Sequence, residues 1–273
     1  FFFFFFKQKT AYEIEVGAWS SDVCSSDLDI NKETIDRWVE EGWEWANPIS
    51  HEEYLNAQNG IWNVLLTPTV PVPHEWIGNL KDKKILGLAS GGGQQMPIFS
   101  ALGAKCSVID YSSQQIASEL KIAEREGYEI DAIEGDMTKR LPFADETFDM
   151  VFHPVSNCYV EDVYHVFQEA YRVLKKGGTF LAGLGNEINY IVDNDEKEIV
   201  WEMPFNPLND EKAREYLMKD DAGMQFSHNT TEQIGGQLKA GFTLLDLYED
   251  TNGYGRLHEL NIKTYMATKS VKL

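Results

Sequence analysis

Cysteine is scarce: Cys24, Cys106 and Cys158 are the three in 273 residues. So few, so widely spaced, form neither a disulfide framework nor a four-ligand zinc site. Basic residues are also in short supply, with 24 Lys and Arg against 44 Asp and Glu and a formal net charge of −20. A nucleic-acid backbone is bound by clustered Lys and Arg, so no nucleic acid is expected as the main partner. No apolar run approaches the roughly 20 residues a membrane-spanning helix needs, so no membrane partner is expected. No His, Cys, Asp and Glu fall at metal-ligand spacing, and no metal is expected. What is present is 43% hydrophobic and 12% aromatic, enough for one sizeable core. The expectation is a reduced, cytoplasmic globular protein.

Residues 1–28 stand apart. Six phenylalanines precede Lys7 and Lys9, the reverse of a signal peptide's order. The segment resembles translated sequencing-adapter sequence and is expected to lie outside the fold. Its removal is expected to leave folding and ligand affinity unchanged, as thermal unfolding and calorimetry would check.

Residues 29–80 read as a helical cap rich in tryptophan: Trp38, Trp43, Trp45, Trp62 and Trp76. Asn31 is placed as N-cap of a helix through Ile35, Trp38 and Val39 that ends near Gly42. Ser50 and Glu53 have capping-box spacing. The tryptophans are expected to pack as core, with an aromatic lid over a pocket as the alternative. Pro68, Pro71 and Pro73 then interrupt regular structure.

From residue 81 to 273 the pattern is alternating strands and helices. Strands are expected at 83–89, 105–110, 129–134, 147–153 and 179–184, with 242–248 and 259–268 as a final antiparallel hairpin. Helices begin near Gln95, with Pro97 in the first turn; after Ser112, with Ile116, Leu120 and Ala123 on the inner face; and over Val163–Leu174, ending at Gly177–Gly178. Thr230 and Gln233 are read as the cap of the last long helix. Alternation of this kind implies an α/β fold with a doubly wound, seven-stranded, mostly parallel sheet. Residues 185–226 are too long for an idle connection. They are expected to wall a pocket, with Ile188–Asp193 and Glu198–Met203 pairing around Asn194–Asp195.

The most informative stretch is Ile85-Leu-Gly-Leu-Ala-Ser-Gly-Gly-Gly-Gln-Gln95. A buried strand runs through three consecutive glycines into a helix, whose free N–H groups face whatever binds there. The dinucleotide fingerprint would need a glycine at Met96, and the ATP phosphate loop a Gly-Lys-Ser/Thr, so both are disfavoured. Asp110 closes the second strand, where an acid can accept both ribose hydroxyls of an adenosine cofactor. Gly135-Asp136-Met137 follows the third strand beside the same crevice, within reach of an adenine amine.

Together with Leu141-Pro-Phe-Ala-Asp-Glu-Thr-Phe-Asp-Met-Val-Phe152 and Glu169-Ala-Tyr-Arg-Val-Leu-Lys-Lys-Gly-Gly178, these motifs resemble the class I S-adenosylmethionine-dependent methyltransferases, small-molecule branch. The resemblance covers residues 83–268 and implies a Rossmann-like fold, S-adenosyl-L-methionine as cofactor and a small-molecule acceptor. It implies that Asp110, with Tyr111 beside it, holds the ribose and that Asp136 and Met137 hold the adenine. The backbone of Ala89, Ser90, Gly91 and Gly93 would hold the methionine moiety. Two departures stand out: the family's acid in the first strand falls on Gly87, and its first loop glycine on Ala89. The loop after strand four faces the cofactor in the family, which makes His153 both a cofactor contact and a candidate general base. Asn157 and Tyr159 are candidates for shaping the substrate pocket, and His228 is a second candidate base. Aminopropyl transfer, or cofactor binding without catalysis, are the other readings the motifs leave open.

Overall fold

A computed structural model describes residues 27–273. Residues 1–26 of the expected sequencing-adapter segment lie outside the described residues, and its last two, Asp27 and Leu28, fall in the helix that follows. The elements run α1 (Asp27–Glu40), α2 (His51–Gln58), α3 (His74–Ile77), β1 (Lys84–Leu88), α4 (Met96–Ala101), β2 (Lys105–Asp110), α5 (Ser113–Glu126) and β3 (Ile130–Glu134). They continue with β4 (Phe148–His153), α6 (Val163–Val173), β5 (Leu174–Gly185), α7 (Glu211–Lys219), α8 (Thr230–Ala240), β6 (Thr243–Asp250), α9 (Gly255–Glu259) and β7 (Tyr265–Val271). The seven strands form one sheet in the order β3-β2-β1-β4-β5-β7-β6. β1 pairs in parallel with both β2 and β4, and β7 is antiparallel to β5 and β6. This is the doubly wound, Rossmann-like sheet with a C-terminal antiparallel pair. Strand order reverses at β1, so the carboxyl ends of β1 and β4 flank the crevice where such sheets bind ligands.

The inner strands β1, β2, β4 and β5 split their side chains between two cores. Ile85, Val108, Phe152 and Leu181 face the layer that holds Phe99 and Trp76. Leu86, Leu88, Val151, Phe180 and Ala182 face the layer that holds Phe167 and Phe242. Apolar residues occupy both faces because helices cover both, as parallel strands require.

Several boundaries differ from the expectation. Asn31 does not cap α1; the helix begins a turn earlier, at Asp27, and the Asn31 amide is buried against distant backbone. α6 ends at Val173, since Leu174 turns extended, and Lys175–Gly178 belongs to β5 instead of the helix end. The cap of α8 is Asn229 with Glu232, one residue before the expected pair, and both halves of the box form. The last strand starts at Tyr265 instead of 259, because residues 255–259 are helical. In α5 Leu120 is 47% exposed, and Glu119 and Ile122 turn inward beside Ile116 and Ala123. The 185–226 hairpin reduces to a single Val192–Ile199 bridge beside a short 3-10 helix. The Ser50–Glu53 capping box, the Ser112 cap and Pro97 in the first turn of α4 are all present.

The front segment is tied to the sheet domain by polar contacts. Asp36 accepts from Ser112 Oγ, Ser113 Oγ and Gln114 N at the start of α5. Ile49 N donates to Gly93 O at 2.9 Å. Among the tryptophans, Trp38 and Trp76 are buried core residues, whereas Trp43 and Trp45 are half-buried and line a cavity.

Gly183 in β5 sets how closely the 64–68 segment approaches the sheet. A Cβ there would lie 1.9 Å from Leu66 O and 3.0 Å from Val155 N, both backbone atoms that cannot rotate away. Gly183→Ala is expected to cost roughly 3 kcal/mol, the upper end of overpacking penalties, and to lower Tm by about 6–12 °C. Differential scanning calorimetry measures it.

Candidate functional site

A cavity of about 410 Å³ opens at the carboxyl edge of β1, β2 and β4. Its floor is the glycine loop. Ala89 turns with φ +48°, Gly92 with φ +97° and Gly93 with φ +78°. Gly91 is required for space: a Cβ would stand 2.8 Å from Gln115 Cβ and 3.0 Å from Asp110 Oδ2. Ala89 does what the family's glycine does, at the cost that a left-handed conformation puts on an L-residue, of order 1 kcal/mol.

Asp110 ends β2 at the cavity wall. Its Oδ2 accepts from Gly91 N at 2.9 Å and its Oδ1 from Ser112 N at 3.0 Å. Burial pushes its carboxyl above the ordinary range, opposed by those backbone N–H groups. Each oxygen keeps lone pairs for a further donor, which is what a ribose diol supplies. Asp136 is half-buried and accepts from Thr138 N at 2.7 Å. Of the residues named from the sequence, Ala89, Ser90, Gly91, Asp110, Tyr111, Asp136, Met137 and Tyr159 line this one cavity.

Gly93, His153, Asn157 and His228 do not line it. The His153 ring is buried under the sheet edge, and Nδ1–H donates to Leu88 O at 2.9 Å. Burial lowers its pKa and keeps the ring neutral, so Nε2 is an acceptor. Asn157 Oδ1 lies 2.8 Å from Nε2, and its buried Nδ2 has no partner. The network is therefore satisfied with the Asn157 N–H₂ turned toward the ring. His228 Nε2–H is shared between Val160 O at 2.8 Å and Asn157 O at 3.1 Å, and burial again lowers its pKa. Both histidines brace the loop after β4 from behind instead of presenting a nitrogen to the cavity. Burial raises the Cys158 thiol to about 12, which leaves it a packing residue. Among the described residues no three His, Cys, Asp or Glu side chains are grouped to hold a metal ion.

Two features were not read from the sequence. A Cβ on Gly87 would sit 3.0 Å from Met96 Sδ and Cε, so the buried Met96 thioether occupies the place beside β1 where the family's acid would project. The nearby polar pair is Ser90 and Gln95, with Ser90 Oγ donating to Gln95 Oε1 at 2.9 Å. The second feature is Glu119, fully buried behind the loop. Its Oε2 accepts from Gly93 N at 2.8 Å and its Oε1 from Tyr128 OH at 3.2 Å. The one signal for it was the accounting of N–H groups: a glycine loop that leaves a strand must find acceptors somewhere.

Burial raises the Glu119 pKa from 4.5 to about 7, against the pull of Gly93 N–H and Tyr128 OH. The fold thus favours the neutral form. Its stabilising contribution is complete below the unfolded value and is lost as pH rises through about 7. Relative to Glu119→Gln, the protein is expected to lose roughly 3 kcal/mol between those limits. Urea unfolding of both proteins across that pH range checks it.

A cavity of this size with two acids in its wall has room and acceptors for an adenosine cofactor, and known proteins offer a comparison. The family model described as "Methyltransferase domain" matches residues 86–182. The Bacillus subtilis (strain 168) protein named "Uncharacterized methyltransferase YbaJ" is 36% identical over 251 residues, covering 89% of this chain and 97% of that protein. Among solved structures, an S-adenosylmethionine-dependent methyltransferase from Mesorhizobium loti shares the fold with a TM-score of 0.60 at 15% identity, over 73% of this chain and 95% of the other. A geranyl diphosphate C-methyltransferase from Streptomyces coelicolor A3(2) shares it with a TM-score of 0.53 at 13% identity, over 73% and 77%. The chain belongs to the class I S-adenosylmethionine-dependent methyltransferases, and S-adenosylmethionine is its cofactor.

Proposed function

We propose that this methyltransferase alkylates a small-molecule acceptor held in the same cavity as the cofactor. Domain 81–273 supplies the sheet and glycine loop, and residues 29–80 supply wall; no residue of 185–226 lines the cavity, so the expected pocket wall from that insertion is not found there. Family membership decides for methyl transfer over the aminopropyl and cofactor-only readings. The observation that carries the site assignment is Asp110: a carboxylate at the end of β2, fixed by Gly91 N–H, opening into the cavity.

The cofactor supplies a methyl group already activated on a sulfonium. Asp110, with Tyr111 beside it, accepts from the ribose. Asp136 and Met137 serve the adenine, and the backbone of Ala89, Ser90 and Gly91 takes the methionine end. What remains for the chain is alignment and the exclusion of water, and effective molarities of about 10⁵ M or more come from alignment alone. His153 and His228 act as positioning residues, since neither lines the cavity: the His153 nitrogens meet Leu88 O and Asn157, while His228 Nε2 meets Val160 O and its Nδ1 lies 3.7 Å from Glu232 Oε2. Trp43, Trp45, Pro154, Val155 and Tyr159 form walls that keep the cavity dry. Cys106 and Cys158 are buried and in no disulfide, which supports a reducing, cytoplasmic setting. Among the described residues no helix is long and apolar enough to cross a membrane.

Asp110→Asn keeps the size and one acceptor oxygen but loses the charge shared by two donors. Affinity for S-adenosylmethionine and S-adenosylhomocysteine is expected to fall by about 30-fold or more, the worth of one to two charge-assisted hydrogen bonds. Isothermal calorimetry reads it, and undiminished affinity would sink the ribose assignment.

A further inference from the structure

A chain of side-chain amides runs from the front segment to the glycine loop. Gln94 Nε2 donates to Trp45 O at 2.6 Å and to Asn47 O at 3.1 Å. Backbone carbonyls only accept, so this end of the Gln94 amide is its N–H₂, and Oε1 faces the other way. Gln95 Nε2 donates to that Oε1 at 3.3 Å. Gln95 Oε1 therefore faces Ser90, whose hydroxyl donates to it at 2.9 Å. Two carbonyls at one end thus set the direction of every bond in the chain.

That direction decides what Ser90 can do. Its hydroxyl hydrogen is committed to Gln95, and among the described residues no N–H or O–H donates to its oxygen. Ser90 Oγ is left as an acceptor. Both amides turn their carbonyls toward Ser90 and their N–H₂ groups toward the front segment, so their dipoles add and place the negative end at Ser90. Ser90, Gln94 and Gln95 line the cavity, and Ser90 and Gln95 are buried. A Cβ on Gly87 would stand 3.2 Å from Ser90 Cβ, so Ser90 lies beside the place where the family's acid would project. An acceptor at the negative end of aligned dipoles suits a cationic donor, and the methionine end of the cofactor carries one: an ammonium with three N–H bonds.

Resting on the placement of the methionine end at Ala89–Gly91, we propose that Ser90 Oγ accepts a hydrogen bond from the cofactor's ammonium. Gln95 and Gln94 are positioning residues that tie this bond to the seating of the front segment. The ammonium polarises each bond down the chain as far as Trp45 O and Asn47 O, and a seated front segment holds the Ser90 hydroxyl in its accepting orientation. The two effects are reciprocal by linkage. Ile49 N–H, which donates to Gly93 O at 2.9 Å, reports on that seating.

The test applies calorimetry to the full chain with three probes: S-adenosylhomocysteine, its deamino analogue with hydrogen in place of the amine, and 5′-methylthioadenosine, which has no amino-acid end. S-adenosylhomocysteine is expected to bind about tenfold or more tighter than the deamino analogue, as one charge-assisted hydrogen bond supplies. Ser90→Ala should remove most of that preference while leaving the deamino analogue and 5′-methylthioadenosine unchanged. Gln94→Met and Gln95→Met should reduce the preference about threefold or more with Ser90 still in place. In hydrogen exchange at saturation, S-adenosylhomocysteine should slow the Ile49 amide about threefold or more beyond the deamino analogue, and Gln94→Met should erase the difference. The inference fails if the deamino analogue binds as tightly as S-adenosylhomocysteine, or if Ser90→Ala keeps the preference. It fails equally if the variants weaken all three probes in parallel, as a purely structural chain would, or if the Ile49 amide responds alike to both ligands. Asp110→Asn, which should weaken all three probes alike, separates the levels. If it does not, the placement of the cofactor is wrong; if it does and Ser90→Ala changes nothing, the amine site alone is wrong.

Discussion

The site depends on where the N–H groups of the Gly91–Gly93 turn find acceptors. The chain leaves β1, reverses, and enters α4 without a neighbouring strand to bond to. Two carboxylates from the next β-α unit supply the acceptors: Asp110 takes Gly91 N–H from the front, and Glu119 takes Gly93 N–H from behind. Gly92 N bonds to Gln115 O, so α5 takes the N–H groups of two of the glycines and the end of β2 takes the third. A loop pinned at three successive residues holds one shape. That fixed shape lets the first carboxylate keep its spare lone pairs directed toward a ligand, and it lets Gly91 pack against Gln115 where a methyl group would not fit.

The two acids behave differently because their surroundings differ. Asp110 lies at the cavity wall with two backbone donors and a polar ligand to come. Glu119 is sealed in, with one N–H and one phenol, and burial dominates. The second acid is structural, and it carries the same unfavourable burial that would be expected of a functional one. Near the end of β1 the reverse substitution has occurred. The family's acid is missing at Gly87, and Met96 fills the space with a thioether. Charge has been removed from one side of the loop and retained on the other.

Much of this was readable from short-range pattern. Alternation of strands and helices, the Ser50–Glu53 box, the Ser112 cap and the acid at the end of β2 depend on neighbours within a few residues. So the sheet, the glycine turn and several residues that line the cavity could be placed from the sequence. Failures came where distant backbone decides. Asn31 looks like a cap because Asn often is one, but its amide is used by Met224. Leu120 looks inward on apolarity alone, yet α5 is phased by what the glycine loop demands of Glu119. His153 and His228 look catalytic by type, and only the positions of Leu88 O and Val160 O show their nitrogens to be occupied. The tryptophans were undecided between core and lid because the two roles are divided among them: Trp38 is core, while Trp43 and Trp45 form wall.

Asn31 has one more consequence. Its side chain donates to Met224 O at 3.0 Å and to Tyr159 O at 3.3 Å, and accepts from Met224 N at 2.6 Å. One amide near the front of the chain thus clasps two backbone segments that are synthesised more than a hundred residues later. On the ribosome, the glycine turn and its acids can assemble once β3 has emerged, but this corner of the chamber stays open until residue 224 is out of the exit tunnel. A nascent chain can therefore acquire its glycine turn and the acids around it well before it can enclose anything beside them.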